Sequence, residues 1–244
     1  MKEELLASLS KMIPNGNRLE LPQEQLSNYP QVKKCLLTAG GKYKRNGFDF
    51  TVPGEEILGR LLGGEAINDK KKFQFFATPA PFAKMACQMA DIQPGLRVLE
   101  PSAGQGAIAN EIRRYTDDYV VVELMPENVV ALTRQGYDVI EGDFLAMSED
   151  EIGRFDRIVG NPPFAKGAEV DHIRHMYTLL KPGGKMVTFA SSAFTFRGDV
   201  KYALFLEWLT DVGAVIDQMP EESFKSSGTN VSTMLLTIDK PVLN

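Results

Sequence analysis

The sequence has few of the residues that build covalent or metal-bound frameworks. Its 244 residues include two cysteines, Cys35 and Cys87, and two histidines, His172 and His175. Two cysteines provide neither a disulfide network nor a cysteine-based metal cluster, and we expect both to be buried thiols. The histidines stand three residues apart on a predicted helix, without a third ligand at a convincing spacing. We therefore predict no metal site.

Long apolar stretches and an excess of positive charge are also absent. No apolar run approaches the length of a membrane span, and residues 1–4 lack the regions of a signal peptide, so we expect a cytoplasmic protein without membrane contact. The net charge of −5 argues against a chain that binds nucleic acid strongly over its whole surface. Residues 1–75 nevertheless carry 12 Lys and Arg against 9 Asp and Glu, whereas residues 76–244 carry 15 against 23. A polyanion would therefore meet the N-terminal part, although ordinary surface charge explains the asymmetry equally well.

The chain does contain a glycine-rich turn between a predicted strand and a predicted helix. Residues 97–109 read Arg-Val-Leu-Glu-Pro-Ser-Ala-Gly-Gln-Gly-Ala-Ile-Ala, which is typical of the first unit of a doubly wound α/β sheet. The third glycine of the dinucleotide fingerprint is missing, and a carboxylate at Glu100 would repel a pyrophosphate. We interpret Glu100, with Gly104 and Gly106 allowing close backbone approach, as a site for a cationic or hydroxyl-bearing ligand.

A second strand ends in a rigid turn with chemical groups at its tip. Residues 157–160, Arg-Ile-Val-Gly, form a largely apolar strand that leads into Asn161-Pro162-Pro163-Phe164, where two prolines stop the strand and fix the backbone. An amide, backbone carbonyls and an aromatic ring are thereby left at the carboxyl edge of the sheet. Together with the glycine-rich turn about 60 residues earlier, this pattern resembles the S-adenosylmethionine-dependent methyltransferases that modify amino nitrogens. The resemblance covers about residues 75–240.

The resemblance implies a fold and a cofactor. The expected fold is α/β, a Rossmann-like seven-stranded class I methyltransferase sheet in residues 75–244. Two strands, at 214–217 and 232–238, are expected to close that sheet as an antiparallel pair. Residues 1–74 are expected to form a small α+β N-terminal extension with a possible nucleic-acid contact. The implied cofactor is S-adenosylmethionine.

The resemblance also implies contacts to the methionine end and the adenosine end of the cofactor. A Phe-x-Thr-Pro segment places Phe76 and Thr78 at the methionine end, although Thr78 is also a candidate helix cap before Pro79. At the adenosine end, an acid for the ribose hydroxyls, an acid for the adenine amino group and an apolar residue on the ring are expected. The implied cofactor contacts are Phe76, Thr78, Glu100, Gly104, Gly106, Glu123, Asp143, Phe144 and Asn161. Simple capping of a loop or helix is the alternative for Glu123 and Asp143.

The implied chemistry needs a nitrogen lone pair aligned with an electrophilic methyl group. The side-chain oxygen of Asn161 and the carbonyl of Pro162 could accept both N–H bonds of an amino group, which frees the lone pair. Phe164 could stack on a flipped base, a contact worth about 1–3 kcal/mol, with Phe224 as a second wall. No cysteine lies near this turn, which disfavours methylation at carbon 5 of cytosine.

The order of the motifs is similar to that in small phage- and plasmid-type DNA adenine methyltransferases. This similarity favours N6 of adenine in DNA as the target, with loose sequence specificity because no separate target-recognition domain is evident before Asn244. Three alternatives stay open: a ribosomal RNA base methylated at guanine N2 or adenine N6, a protein glutamine, and a catalytically inert nucleic-acid-binding module. A predicted hairpin at residues 43–50 has a basic tip that is either a nucleic-acid contact or a solvated turn.

Overall fold

The structure is a computed structural model that describes residues 2–50, 52–63, 77–220, 224 and 231–242. The chain divides into two compact units, Met1–Phe73 and Gln74–Asn244. Each unit has a hydrophobic core of its own. None of the helices in the described part of the chain combines the length and the hydropathy that a membrane span requires.

The first unit is a small α+β assembly. Its antiparallel sheet has the strand order β1-β2-β4-β3, and its core includes Leu9, Leu19, Leu36 and Phe48, each at most 1% exposed. Its elements are α1 (Lys2–Leu9), β1 (Ile13–Asn15), β2 (Arg18–Glu20), α2 (Tyr29–Thr38), β3 (Lys42–Tyr43), β4 (Gly47–Asp49) and α3 (Gly54–Leu62).

Several local expectations for this unit need correction. The spacing of the apolar residues over 1–13 predicts one helix with Ile13 on its apolar face, but α1 ends at Leu9 and Ile13 opens β1 with about half of its surface exposed. The sequence also predicts a helix over residues 23–38, but α2 begins only at Tyr29. Cys35 is only partly buried. Helical spacing identified one apolar face here, but it did not show where the neighbouring strand replaces the helix.

The hairpin at residues 43–50 forms with its turn one residue earlier than an Asn-Gly turn would place it. The Lys44 N–H donates to the Gly47 carbonyl at 3.0 Å, so Arg45 and Asn46 are the central residues. Arg45 adopts a positive φ of 52°, which side chains rarely favour. Gly47 lies in β4, where an added Cβ would approach the Leu19 carbonyl oxygen to 2.7 Å. Close packing of two strands therefore requires this glycine.

The second unit alternates strands and helices, as its sequence indicates. Its elements are α4 (Ala80–Met89), β5 (Val98–Glu100), α5 (Ala109–Ile112), β6 (Tyr119–Glu123), α6 (Pro126–Arg134), β7 (Val139–Glu141), a 3₁₀ turn (Phe144–Ala146), α7 (Glu149–Ile152), β8 (Phe155–Gly160), a 3₁₀ turn (Ala165–Gly167), α8 (Ala168–Leu179), β9 (Leu180–Ser191), a 3₁₀ turn (Ser192–Thr195), α9 (Val200–Asp211), β10 (Val215–Gln218) and β11 (Thr233–Asp239). The sequence Leu-Lys-Pro-Gly-Gly at 180–184 predicts a turn; these residues are assigned to the long strand β9, but Gly183 has φ 75° and the register of β9 with β8 is interrupted there.

These strands form one seven-stranded sheet in the order β10-β11-β9-β8-β5-β6-β7. The strands β5 to β9 pair in parallel, and β10 and β11 close one edge antiparallel. The predicted seven-stranded architecture with an antiparallel edge is therefore confirmed. Side chains alternate along β8, so that Ile158 joins the cluster containing α8 and α9 and Val159 joins the cluster containing α4 and α5.

Candidate active site

The parallel strands bring the predicted site residues to one edge of the sheet. Glu100 ends β5, Glu123 ends β6, and Asn161 directly follows β8. Because β5 pairs with both β6 and β8, the strand order reverses on either side of β5. In open α/β sheets such a switch point opens a crevice at the carboxyl ends of the strands. The crevice lies between the glycine-rich turn after β5 and the Asn-Pro-Pro-Phe turn after β8.

The glycine-rich turn depends on two residues with positive φ. Gly104 has φ 56° and Gly106 has φ 87°. An added Cβ at Gly106 would come within 2.8 Å of Leu132 Cδ2, so the position is closed to a side chain both conformationally and sterically. The Gly106 N–H donates to the Ala103 carbonyl at 2.8 Å, which closes the turn.

Glu123 holds this turn through one carboxylate oxygen and the start of its own following loop through the other. Its Oε2 accepts from the Gly104 N–H at 2.6 Å, and its Oε1 accepts from the Met125 N–H at 2.7 Å. The side chain is buried, and burial raises its pKa while the backbone donors at Met125 and Gly104 oppose that shift. The Asn128 side chain and the Leu124 N–H also oppose the rise of the pKa, so several donors already surround this carboxyl.

Two polar atoms at the end of β5 are buried and have no hydrogen-bond partner among the described residues. They are Glu100 Oε2 and Ser102 Oγ. Burial raises the pKa of Glu100 well above its usual range, the Ala109 N–H opposes the shift, and the charge of Glu123 adds to it. Unsatisfied buried polar atoms are uncommon because each forfeits its bonds to water. Their presence in this turn fits a polar, cationic ligand such as the amino-acid end of S-adenosylmethionine.

The Asn-Pro-Pro-Phe turn is tied to a distant segment through Asn161. Its Nδ2 donates to Thr78 Oγ1 at 3.0 Å, which directs the amide oxygen away from Thr78. The prediction that Thr78 caps a helix with Pro79 at the first helical position is therefore wrong. Pro79 itself is the N-cap residue, helix α4 begins at Ala80, and no side chain caps it. Thr78 is brought to the candidate site by this bond.

The two aromatic residues expected to face a planar substrate have different environments. Phe164 is only partly buried and packs against the core that contains Val159, and the preceding Pro162 is buried. Phe224 is 2% exposed and stacks on Phe82 with ring centroids 5.9 Å apart. Phe224 is therefore a core residue, and its expected role as an exposed wall is not supported by this packing.

The loop after β7 likewise separates two predicted contacts. Asp143 is exposed, and its Oδ1 accepts from the Leu145 N–H at 3.0 Å, which is the capping alternative. Phe144 is 3% exposed and packs against the His175 ring at a centroid distance of 4.8 Å. The buried ring of Phe144 therefore belongs to the core, contrary to the expectation that it faces adenine. Leu124 and Leu145, about 40% exposed, are the apolar side chains available nearby.

The strand ends that carry the two turns are packed against each other. An added Cβ at Gly160, the last residue of β8, would lie 3.1 Å from Pro101 Cδ. Pro101 immediately follows Glu100, so the strand end before the Asn-Pro-Pro-Phe turn touches the start of the glycine-rich turn. Sequence spacing could not reveal this contact, although a glycine that ends an apolar strand is a signal of close approach.

Two predictions concern groups elsewhere. His172 and His175 make hydrogen-bonding contacts with the carbonyls of Ala168 and Met147, and the described residues contain no group of three metal-ligating side chains. Phe76 lies outside the described residues, so its expected contact with the methionine end of the cofactor stays a prediction.

Comparison with known proteins gives related sequences over part of the chain. No protein-family model matches it. The chain is 30% identical over 161 residues to ribosomal RNA small subunit methyltransferase A of Dechloromonas aromatica (strain RCB), which covers 59% of this chain and 60% of that protein. The same-named protein of Methylibium petroleiphilum is 25% identical over 167 residues. The chain spans less than two thirds of the length of either relative.

Solved structures provide the comparison of folds. The type I restriction-modification methyltransferase subunit from Streptococcus thermophilus superposes with a TM-score of 0.59, at 21% identity, over 76% of this chain and 50% of that one. The EcoKI M protein superposes with a TM-score of 0.59, at 18% identity, over 97% of this chain and 60% of that one. A Listeria monocytogenes protein described as a class I S-adenosylmethionine-dependent methyltransferase superposes with a TM-score of 0.52, at 15% identity, over 69% of this chain and 62% of that one. The chain has the Rossmann-like fold of the class I S-adenosylmethionine-dependent methyltransferases.

Proposed function

We propose that the protein transfers a methyl group from S-adenosylmethionine to an amino nitrogen, and that this nitrogen is N6 of adenine in DNA. The observation that carries the proposal is the adjacency of the glycine-rich turn and the Asn-Pro-Pro-Phe turn at the β5–β8 switch point. One turn has buried polar atoms that find no hydrogen-bond partner within the described part of the chain, and the other presents an amide oriented by Thr78. Because the reaction joins a bound methyl donor to a bound nitrogen, two adjacent subsites are what it requires.

On the cofactor side, Glu100 and the backbone at Gly104 and Gly106 would hold the amino-acid end. The carboxylate of Glu123, at the end of β6, would accept the ribose hydroxyls. Asp143 is exposed and could accept from the adenine amino group, while Leu124 replaces the buried Phe144 as the apolar contact. S-adenosylmethionine itself would supply an electrophilic methyl group on a positively charged sulfur.

On the acceptor side, Asn161 and Pro162 would bind the amino group undergoing methylation. The Thr78 contact holds Nδ2 of Asn161, so Oδ1 is the atom assigned to accept an N–H of the substrate. The Pro162 carbonyl would accept the second N–H, which concentrates the lone pair on nitrogen. Phe164, being only partly buried, would stack on the base extruded from its helix. The proposed roles of these residues concern positioning, and no covalent intermediate is needed.

The choice of DNA follows from the motif order and is supported by the names of the structural neighbours. Two of them are the methyltransferase subunit of a type I restriction-modification system and the EcoKI M protein. The basic hairpin tip of the first unit, with Lys42, Lys44 and Arg45, would add backbone contacts whose strength falls steeply with salt. With few such groups, we propose modest affinity and loose specificity.

A ribosomal RNA adenine or guanine is the second candidate acceptor. The specific observation in its favour is that both curated relatives are named ribosomal RNA small subunit methyltransferase A. The amino group of either base offers the same N–H donors to Asn161 and Pro162, so the described geometry suits both nucleic acids. The acceptor assay decides between DNA and RNA.

That assay uses methyl-labelled S-adenosylmethionine with duplex DNA, ribosomal RNA or cell protein, followed by mass spectrometry of nucleosides and amino acids. We expect N6-methyladenine in DNA, lost in Asn161→Ala and retained in Gln93→Ala, which changes an exposed residue in the segment that precedes β5. Methylation confined to RNA would transfer the proposal to that acceptor, and methylation confined to glutamine would exclude a nucleic-acid target. Cofactor binding without any transfer would identify an inert module.

A further inference from the structure

A buried glutamate follows the Asn-Pro-Pro-Phe turn, forms a cluster with two hydroxyl side chains, and has no role in the chemistry proposed above. Glu169 lies in the first turn of α8 and is 0% exposed. Its Oε1 accepts a short hydrogen bond from Ser191 Oγ, at the end of β9. Its Oε2 is buried and has no hydrogen-bond partner among the residues that the structure describes. A glutamate is an expensive residue to bury in this way, because it must lose its hydration.

Tyr202 of α9 extends this cluster toward the turn. The pKa of Tyr202 is raised first by burial and next by the nearby Glu169 carboxyl, while Ser191 opposes the shift. An added Cβ at Gly167 would lie 3.2 Å from the Tyr202 hydroxyl, so the phenol packs directly on the backbone at that position. Glu169, Ser191 and Tyr202 therefore connect α8, β9 and α9 immediately behind residues 165–167.

The segment between Phe164 and Glu169, which packs against this cluster, has a backbone conformation that side chains rarely adopt. Lys166 has φ 54° and Gly167 has φ 73°, so two consecutive residues adopt left-handed conformations. A lysine rarely adopts this conformation unless its surroundings enforce it. The described contacts that surround the segment include the packing of Gly167 on Tyr202, and Glu169 begins the helix that anchors its far end.

We propose that Glu169 is a positioning residue which, through Ser191 and Tyr202, holds residues 164–167 and thereby sets the orientation of the Asn-Pro-Pro-Phe turn toward the acceptor. This inference rests on the proposed function of that turn as the acceptor subsite. Glu169 lies outside the glycine-rich turn, so it acts on the acceptor side and leaves cofactor binding unchanged. The proposal depends on the hydrogen bonds and packing of this side chain; burial raises the pKa of Glu169, and the Ser191 hydroxyl opposes that shift.

The test compares Glu169→Leu, which removes every hydrogen bond, with Glu169→Gln, which preserves the shape and an acceptor for Ser191. Glu207→Gln, an exposed glutamate on α9, is the matched control. We expect Glu169→Leu to lower kcat by about 10- to 100-fold, since small misplacements of reacting groups have effects of this size. Glu169→Gln should recover most of the activity, and the Kd for S-adenosylmethionine should stay within about twofold in all three variants.

Hydrogen exchange of the backbone amides makes the test independent of the acceptor. In Glu169→Leu, amides at 164–168 should exchange faster while those at 104–106 stay unchanged. If the wild-type protein methylates no acceptor but Glu169→Leu still exchanges faster at 164–168, the role of Glu169 in holding this segment stands and the proposed function is overturned. Unchanged exchange at 164–168, or an equal loss of activity in Glu169→Gln and Glu169→Leu, would overturn the role of Glu169. A uniform rise in exchange together with normal kcat would identify a purely structural residue.

Discussion

The glycine-rich turn and the Asn-Pro-Pro-Phe turn occupy neighbouring strand ends but are held by different means. The first contains glycines, which leave the backbone free to adopt positive φ, and a buried acid fixes it through a backbone N–H group: Glu123 accepts from Gly104. The second has a rigid backbone because Pro162 and Pro163 restrict it, and its Asn161 side chain makes the contact with Thr78. The first turn is therefore held through its backbone, and the second through a side chain.

This difference predicts that substitutions in the two turns affect different measurements. On the cofactor side, changes should weaken both ligand binding and folding, because the acid that would bind the ribose also organises the turn. On the acceptor side, changes should lower turnover while folding and cofactor binding persist. The following predictions test that separation, beginning with the largest expected effect.

Asn161→Ala should lower the rate of methyl transfer by about 10²- to 10³-fold, comparable with the loss of a group that stabilises a transition state directly. The Kd for S-adenosylmethionine should change little, because Asn161 is assigned to the acceptor nitrogen. Single-turnover kinetics and calorimetry measure the two quantities, with Gln93→Ala as the control. A large loss of cofactor affinity would place Asn161 on the cofactor side and remove the distinction between the turns.

Glu123→Ala should weaken S-adenosylmethionine binding by about 1.5–3 kcal/mol, the usual worth of hydrogen bonds to a charged group. It should also lower the free energy of unfolding, because the N–H groups of Gly104 and Met125 lose their acceptor. Glu141→Ala, at the exposed end of β7, is the matched control and should do neither. Calorimetry and urea unfolding report the two effects, and unchanged affinity would remove Glu123 from the ribose site.

Glu100→Gln should change how stability depends on pH. The pKa of Glu100 is raised in the folded protein, so above pH about 4.5 the folded state retains a proton that the unfolded state has lost. The free energy of unfolding should therefore fall with rising pH, by up to about 1.4 kcal/mol per pH unit, until the folded pKa is passed. Glu100→Gln should remove this component of the slope. Equal slopes in urea unfolding from pH 5 to 8 would show that Glu100 titrates normally.

Thr78→Val should have the smallest effect. It preserves the shape of the side chain but removes the hydroxyl that accepts from Asn161 Nδ2 at 3.0 Å. A net hydrogen bond is worth about 0.5–1.5 kcal/mol, so methyl transfer should fall by up to about tenfold. Thr210→Val, on the exposed face of α9, is the control. A rate equal to that of the wild-type protein would show that Asn161 is oriented without Thr78.

Sequence reasoning predicted those features that depend on residues close together along the chain. Gly104 and Gly106 marked the first turn, the paired prolines marked the second, and parallel topology then placed both at one edge. It failed where a distant partner decides the outcome. Thr78 is a residue type that often caps helices and it precedes a proline, but its hydrogen-bond partner Asn161 lies 83 residues away. Phe224 and Phe144 were expected at a ligand because aromatic rings suit either a site or a core, and only packing separates these environments.

The missed features have the same cause. The buried position of Glu169 depends on Ser191, 22 residues later, and no local pattern distinguishes it from the exposed acids nearby. Leu124, next to Glu123, could have been found from sequence as an apolar residue just beyond a strand, a position that often faces the crevice. Which of these residues touches a cofactor stays a prediction until a ligand is bound.

The contact between Gly160 and Pro101 has a consequence for altering the acceptor by protein engineering. With only 3.1 Å available to an added Cβ at Gly160, a larger residue there would push the two turns apart and disturb both halves of the reaction together. Variation aimed at new acceptors should therefore leave Gly160 and Pro101 intact and begin at Phe164, whose ring is only partly buried. Libraries built in this way would sample new acceptor shapes while the distance between donor and acceptor remains constant.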